Sequence, residues 1–170
     1  MENQASSKSI ILNNGLYYGI VSIVFSVILY AMDMHLEQGI VQAVGGFAIM
    51  IAFVVMSQRK FKLDNSNLMS FGQAVKVGMG VVLVATVIGL IYNYIFATFI
   101  EPDMINQVLE KQKQAFIDSG LTDEQIEAQM KVVKQFSSPL ISSAIALLAA
   151  AFFGFVVSAI SGAILKRSEE

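Results

Sequence analysis

Four long uncharged stretches divide the chain: Gly15–Met32, Gly39–Met56, a run reaching about Phe99, and Pro139–Leu165. The first two are eighteen residues each. At 1.5 Å per residue an eighteen-residue helix spans about 27 Å, close to the hydrocarbon thickness of a bilayer. The pattern therefore predicts an all-α membrane protein in a single membrane domain, with four spans at about 15–32, 39–56, 74–99 and 139–165. Tyr17 and Tyr18 lie toward one end of the first run and Tyr30 at the other, where amphipathic rings prefer headgroup depth. Lys8 before this run imitates a signal peptide. The run exceeds a typical apolar core of such a peptide, and Leu29-Tyr30-Ala31-Met32-Asp33 is no small-residue cleavage site, so a retained span is expected. Residues 1–13 read as a disordered or interfacial tail.

Between the spans, polar residues predict where the chain turns. Asp33–Gln38 reads as a short loop. Its Asp33, His35 and Glu37 imitate a metal site, but the further oxygen ligands a hard cation needs are not near in sequence, and a solvated turn is the reading adopted. Ser57–Met69 reads as a basic loop with Arg59, Lys60 and Lys62, closed by Asp64-Asn65-Ser66-Asn67. Ser70 and Gln73 fit a capping box that starts the third helix. That helix is longer than the hydrocarbon needs, so its first turns lie at the interface, where Lys76 can extend its ammonium to water. A functional lysine is the sharper alternative for Lys76. Asn93 is the strongly polar side chain deepest in this run. It is expected to face another helix and hydrogen-bond there, and a place on a substrate path is the sharper alternative.

Glu101–Ser138 is the one long polar segment. Pro102 fits the first position of a helix, flanked by Glu101 and Asp103, whose charges suit the positive helix end. Met104, Ile105, Val108, Leu109, Phe116 and Ile117 follow at mostly helical spacing. Gly120 is placed to stop that helix. Thr122 and Gln125 form a second capping box, and Ile126, Met130, Val133 and Phe136 continue the period. The expectation is an extramembrane amphipathic helical hairpin over 101–137, between the third and fourth spans. The fourth span restarts at Ser138-Pro139 and carries Ala146, Ala150, Gly154, Ser158 and Gly162, each four apart, a stripe that lets helix backbones approach closely. Packing within one chain and a dimer interface are both open to it, and the first is preferred because four spans must pack on something.

Composition narrows the chemistry. Of 170 residues 14% are charged, and the net charge is −2. With no cysteine, disulfides and thiolate chemistry are excluded. One histidine cannot build a zinc site of several imidazoles. No basic patch suggests nucleic acid. Four spans put both termini on one side, with Lys8, Arg59, Lys60, Lys62, Lys76, Lys166 and Arg167, seven of the eleven basic residues. The positive-inside rule then gives cytoplasmic termini and an external hairpin, in the inner membrane if the source is bacterial.

Asn14-Gly15-Leu16-Tyr17-Tyr18-Gly19, Ser70-Phe71-Gly72-Gln73-Ala74-Val75-Lys76-Val77-Gly78, Tyr94-Ile95-Phe96, Phe99-Ile100-Glu101-Pro102-Asp103, Gln125-Ile126-Glu127 and Phe136-Ser137-Ser138-Pro139 carry a resemblance over nearly the whole chain. The sequence resembles a group of small bacterial membrane proteins, the domain of unknown function 4199 family. The resemblance implies four spans and a membrane location, and it implies no mechanism.

Three functions follow as expectations. The first is a non-enzymatic structural or accessory component that binds partners through its hairpin or helix faces. The expected partners are the lipid bilayer and either another membrane protein or a homo-oligomer. The second is a small oligomeric transporter or channel, motivated by Asn93, Lys76 and the Gly78/Gly80 pair. The third is an enzyme, for which Glu101 and Asp103 are the only close carboxylates at the membrane edge, and their place at a helix start already accounts for them. No catalytic residue, cofactor site or metal site is assigned, since no phosphate loop, zincin motif or nucleophile elbow is present.

Overall fold

A computed structural model describes residues 6–36 and 40–167. The tail residues 1–5, the loop residues Glu37 and Gln38, Gly39 at the start of the second run and the last residues 168–170 lie outside the described part. Six α-helices form among the described residues: α1 (Ser7–Ala31), α2 (Ile40–Asp64), α3 (Phe71–Ile95), α4 (Met104–Asp118), α5 (Asp123–Phe136) and α6 (Pro139–Leu165). A π-helical turn, Phe96–Ile100, continues α3. α1, α2, α3 with its π turn, and α6 are long and apolar enough to cross a membrane. Their outer faces are apolar too: Val44, Leu148, Phe152 and Ile164 are exposed. A helix apolar all round suits hydrocarbon, which solvates such side chains as well as a core does.

Two boundaries of the long apolar helices differ from the sequence expectation. α1 begins at Ser7, so most of the expected tail is helix. Ser6 caps it, its hydroxyl accepting from the Ser9 N–H at 3.4 Å. The apolar patch drives this extension: Ile10 is buried with Phe61, Met69, Ala74 and Val77. α2 runs on to Asp64, eight residues beyond the expected Met56. Its polar end is sorted by helical period. Ser57, Gln58 and Phe61 are buried, while Arg59, Lys60 and Leu63 are exposed, and Lys60 pairs with Asp64 at 3.1 Å.

Several predicted stops and starts are present. The Ser70–Gln73 capping box forms, with the Ser70 N–H donating to Gln73 Oε1 at 2.8 Å and the Gln73 N–H to Ser70 Oγ at 3.3 Å. The Thr122–Gln125 box forms as well. Gly120 is left-handed (φ 76°), and the Gly120 and Leu121 N–H groups donate back to Ile117 and Phe116 carbonyls, which ends α4 as a Schellman motif. Asp33 does the same after α1 (φ 57°). Pro102 does not sit at the first helical position: α4 starts at Met104 with Asp103 as its cap. The π turn explains the shift, because the Glu101 N–H donates to the Phe96 carbonyl at 2.9 Å and the chain needs Pro102 to turn out of it.

Contacts divide the molecule into two units, the described residues of Met1–Gly89 with Leu147–Glu170, and Leu90–Ala146. In the first, glycines set the helix spacing. Gly15 and Gly19 on α1 lie against Val84 and Ile88 on α3, both pairs four residues apart. On α6, Gly154 lies against Val82 and Gly162 against the Ala74 Cβ. Ala150 packs on a core of Met50, Val54 and Val82, and Tyr18 stacks on Phe53 with ring centroids 5.3 Å apart. In the second unit α4 and α5 lie against each other as a helical hairpin, with Ile126 and Met130 buried and α4 contributing no fully buried residue.

Candidate functional site

The most distinctive constellation of the first unit is a buried carboxamide that the hydropathy pattern had assigned to a loop. Gln58 is fully buried on α2. Its Nε2 group donates one hydrogen to the Ala74 carbonyl of α3 at 3.1 Å and the other to the Ser158 carbonyl of α6 at 3.0 Å. Each acceptor lies four residues before a glycine, Gly78 and Gly162. That spacing removes the Cβ beside each carbonyl, so a third helix can reach it. A Cβ on Gly162 would come within 3.8 Å of Gln58 Nε2, and one on Gly78 would collide with Ser158 Oγ and Cβ.

The carboxamide therefore ties three helices at one point. Gln58 Oε1 and Ser158 Oγ are buried without a hydrogen-bond partner among the described residues. Ser57 and Ser161 turn their hydroxyls back to the Phe53 and Val157 carbonyls of their own helices, at 2.6 and 2.7 Å. Amides and hydroxyls are the whole of this cluster, so its chemistry is hydrogen bonding. Toward the chain end, Lys62 Nζ donates to the Leu165 carbonyl at 2.9 Å, which suits a cation at a helix C-terminus. Met69 and Arg167 exchange two backbone hydrogen bonds of 2.9 Å. These bonds hold the end of α6 against the turn after α2.

An open groove of about 290 Å³ runs elsewhere on this unit, lined by small and aromatic residues including Ala43, Gly46, Phe47 and Phe153. It is mostly apolar; Tyr18 and Thr86 bring hydroxyls to its lining, and that of Thr86 is bonded to the Val82 carbonyl at 2.8 Å.

The second unit holds a larger cleft, about 680 Å³, along α4 and α5. Ile117, Ile126 and Met130 form its floor, and Lys113, Asp123, Glu127, Lys131 and Lys134 its rim. None of these five charged side chains makes an ion pair or hydrogen bond within the described chain, whereas Gln114 and Asp118 nearby bond to each other at 2.9 Å. The apolar spacing of α5 foretold its floor, but no sequence signal placed Lys113 beside it.

The residues singled out from sequence disperse. Ala150, Gly154, Ser158 and Gly162 share the packing face of α6 in the first unit, and Ala146 is half-buried in the second. Lys76 is exposed early in α3. Asn93, expected to bond another helix, is exposed and makes no hydrogen bond in the described chain; the period of α3 turns it outward while Tyr92 and Phe96 pack together at 5.7 Å. Glu101 accepts from Gln107 Nε2 at 3.1 Å and Asp103 from Asn106 Nδ2 at 2.7 Å, so both carboxylates serve the start of α4.

Four long apolar helices, three of them tied by the hydrogen bonds of one buried carboxamide, mark the chain as a membrane protein. A family model described as a protein of unknown function (DUF4199) matches residues 13–167, and the chain belongs to that family. No curated protein and no solved structure matches it.

Proposed function

We propose that the chain is a non-enzymatic structural or accessory component of its membrane, and that the α4–α5 hairpin stands outside the bilayer as its contact element. The open cleft with an apolar floor and an uncommitted charged rim carries this reading. Glu110, Lys111, Lys113, Asp118 and Glu124 on the hairpin are all exposed, and hydrocarbon does not accept so many charges. The basic residues favour cytoplasmic termini and an external hairpin, which for a bacterial chain means the inner membrane. Gly78 and Gly80, which motivated a channel, are filled from neighbouring helices by Ser158 and Ile11, so they lend that reading no support.

A photo-crosslinking side chain placed at Ile117 or Lys134 in native membranes is expected to yield a protein adduct of repeatable mass. Adducts with lipid alone would overturn the reading.

A further inference from the structure

The rim of the α4–α5 cleft has a charge order that fits a second copy of itself. Along α5 the lining residues are Asp123, Ile126, Glu127, Met130, Lys131 and Lys134, one stripe at helical spacing. Read from the N-terminal end, its charges run negative, negative, positive, positive. An antiparallel copy presents the opposite order. About a two-fold axis near Ala128 and Gln129, Asp123 faces Lys134 of the second copy and Glu127 faces its Lys131. Ile126 and Met130 stay buried beneath these charges, and the exposed Ile117 of α4 offers the apolar surface of the cleft. A parallel arrangement would oppose like charges at every level.

Two further observations favour this occupant. All four charged groups of the stripe are uncommitted within the chain, including Glu127 and Lys131, which are four residues apart on one helix and still form no ion pair. The segment as a whole is acidic, with Glu101, Asp103, Glu110, Asp118, Asp123, Glu124 and Glu127 against Lys111, Lys113, Lys131 and Lys134, which disfavours an anionic bilayer surface as the occupant. We propose that a second copy of the chain docks α5 antiparallel on α5 across this cleft, so that two hairpins close a four-helix bundle. The proposal rests on the reading of the hairpin as a protein-contact element.

The test uses the full chain in detergent or nanodiscs. One variant carries Asp123→Lys and Glu127→Lys, the other Lys131→Glu and Lys134→Glu. Wild type is expected to dimerise, and each variant alone to dissociate about tenfold or more readily, because every opposed pair becomes repulsive. Mixed together, the two variants are expected to form a heterodimer at least as tight as wild type. Unchanged helical circular dichroism in each variant excludes unfolding as the cause of dissociation. In a second measurement that needs no charge reversal, Asp123→Cys on one copy should form a disulfide with Lys134→Cys on the other, and Asp123→Cys should not pair with itself. A monomeric wild type, a mixture no tighter than the separate variants, or self-pairing at 123 would overturn the proposal. Adducts from the hairpin to other proteins without self-adducts would overturn it too while leaving the contact-element reading in place. Adducts to lipid alone would remove both.

Discussion

Gln58→Glu is expected to cost about 3–5 kcal/mol, the scale of an uncompensated buried charge. The substitution changes little in shape. It replaces the Nε2 donor with an oxygen that faces the Ala74 and Ser158 carbonyls across distances now 3.1 and 3.0 Å. Three oxygens then converge in a site with no exposure to solvent. Gln58→Met separates charge from shape. It removes the same two hydrogen bonds, but both carbonyls keep their own helical N–H partners, so the cost is about 1–2 kcal/mol. Chemical unfolding in detergent, followed by circular dichroism, measures both variants. If Glu and Met at this position prove equally mild, the carboxamide does not tie the three helices.

Gly78→Leu is expected to cost about 3 kcal/mol by overpacking. Any Cβ at this position meets Ser158, and Val54 Cγ1 lies 3.0 Å from it, so α3 must move off both α6 and α2. That movement also pulls the Ala74 carbonyl from Gln58. The sign of the alanine substitution is diagnostic. Alanine in a helix is favoured over glycine by roughly 0.5–1 kcal/mol where space allows. Gly89→Ala, on the same helix with nothing within 4 Å of the new Cβ, is expected to gain that amount. Gly78→Ala is expected to lose stability instead. Adding Ser158→Gly should recover much of the loss, with a coupling of about 0.5–3 kcal/mol, because the two residues share one space. Independent effects at 78 and 158 would show that the helices do not meet there.

These two positions also mark what can be read from the chain and what cannot. Ser70, Thr122 and Gly120 announce themselves locally, since a cap or a left-handed turn depends on neighbours within a few residues. The small-residue stripe on α6 announces a close approach, but not that Val82, Gly78 and Ala74 of α3 lie opposite it. The polar end of α2 is harder. Ser57, Gln58, Arg59, Lys60 and Lys62 together look like a loop by hydropathy, yet they sort by helical period into buried amide and hydroxyl on one side and solvated charge on the other. Gln58 becomes buriable only because carbonyls 16 and 100 residues further along the chain accept its hydrogens. Ser7–Asn13 failed for a similar reason, since Ile10 finds its partners at Phe61, Met69 and Val77. Asn93 shows the converse: a polar side chain in an apolar run need not face its own neighbours.

The position of the hairpin is read most directly by single cysteines, because the chain has no native thiol. Ser119 caps the end of α4, and Ser66 is exposed in the turn between α2 and α3. An impermeant maleimide applied to intact cells is expected to label Ser119→Cys and to spare Ser66→Cys until the membrane is opened. Labelling of Ser66→Cys with protection of Ser119→Cys would contradict an external contact element carried by four spans.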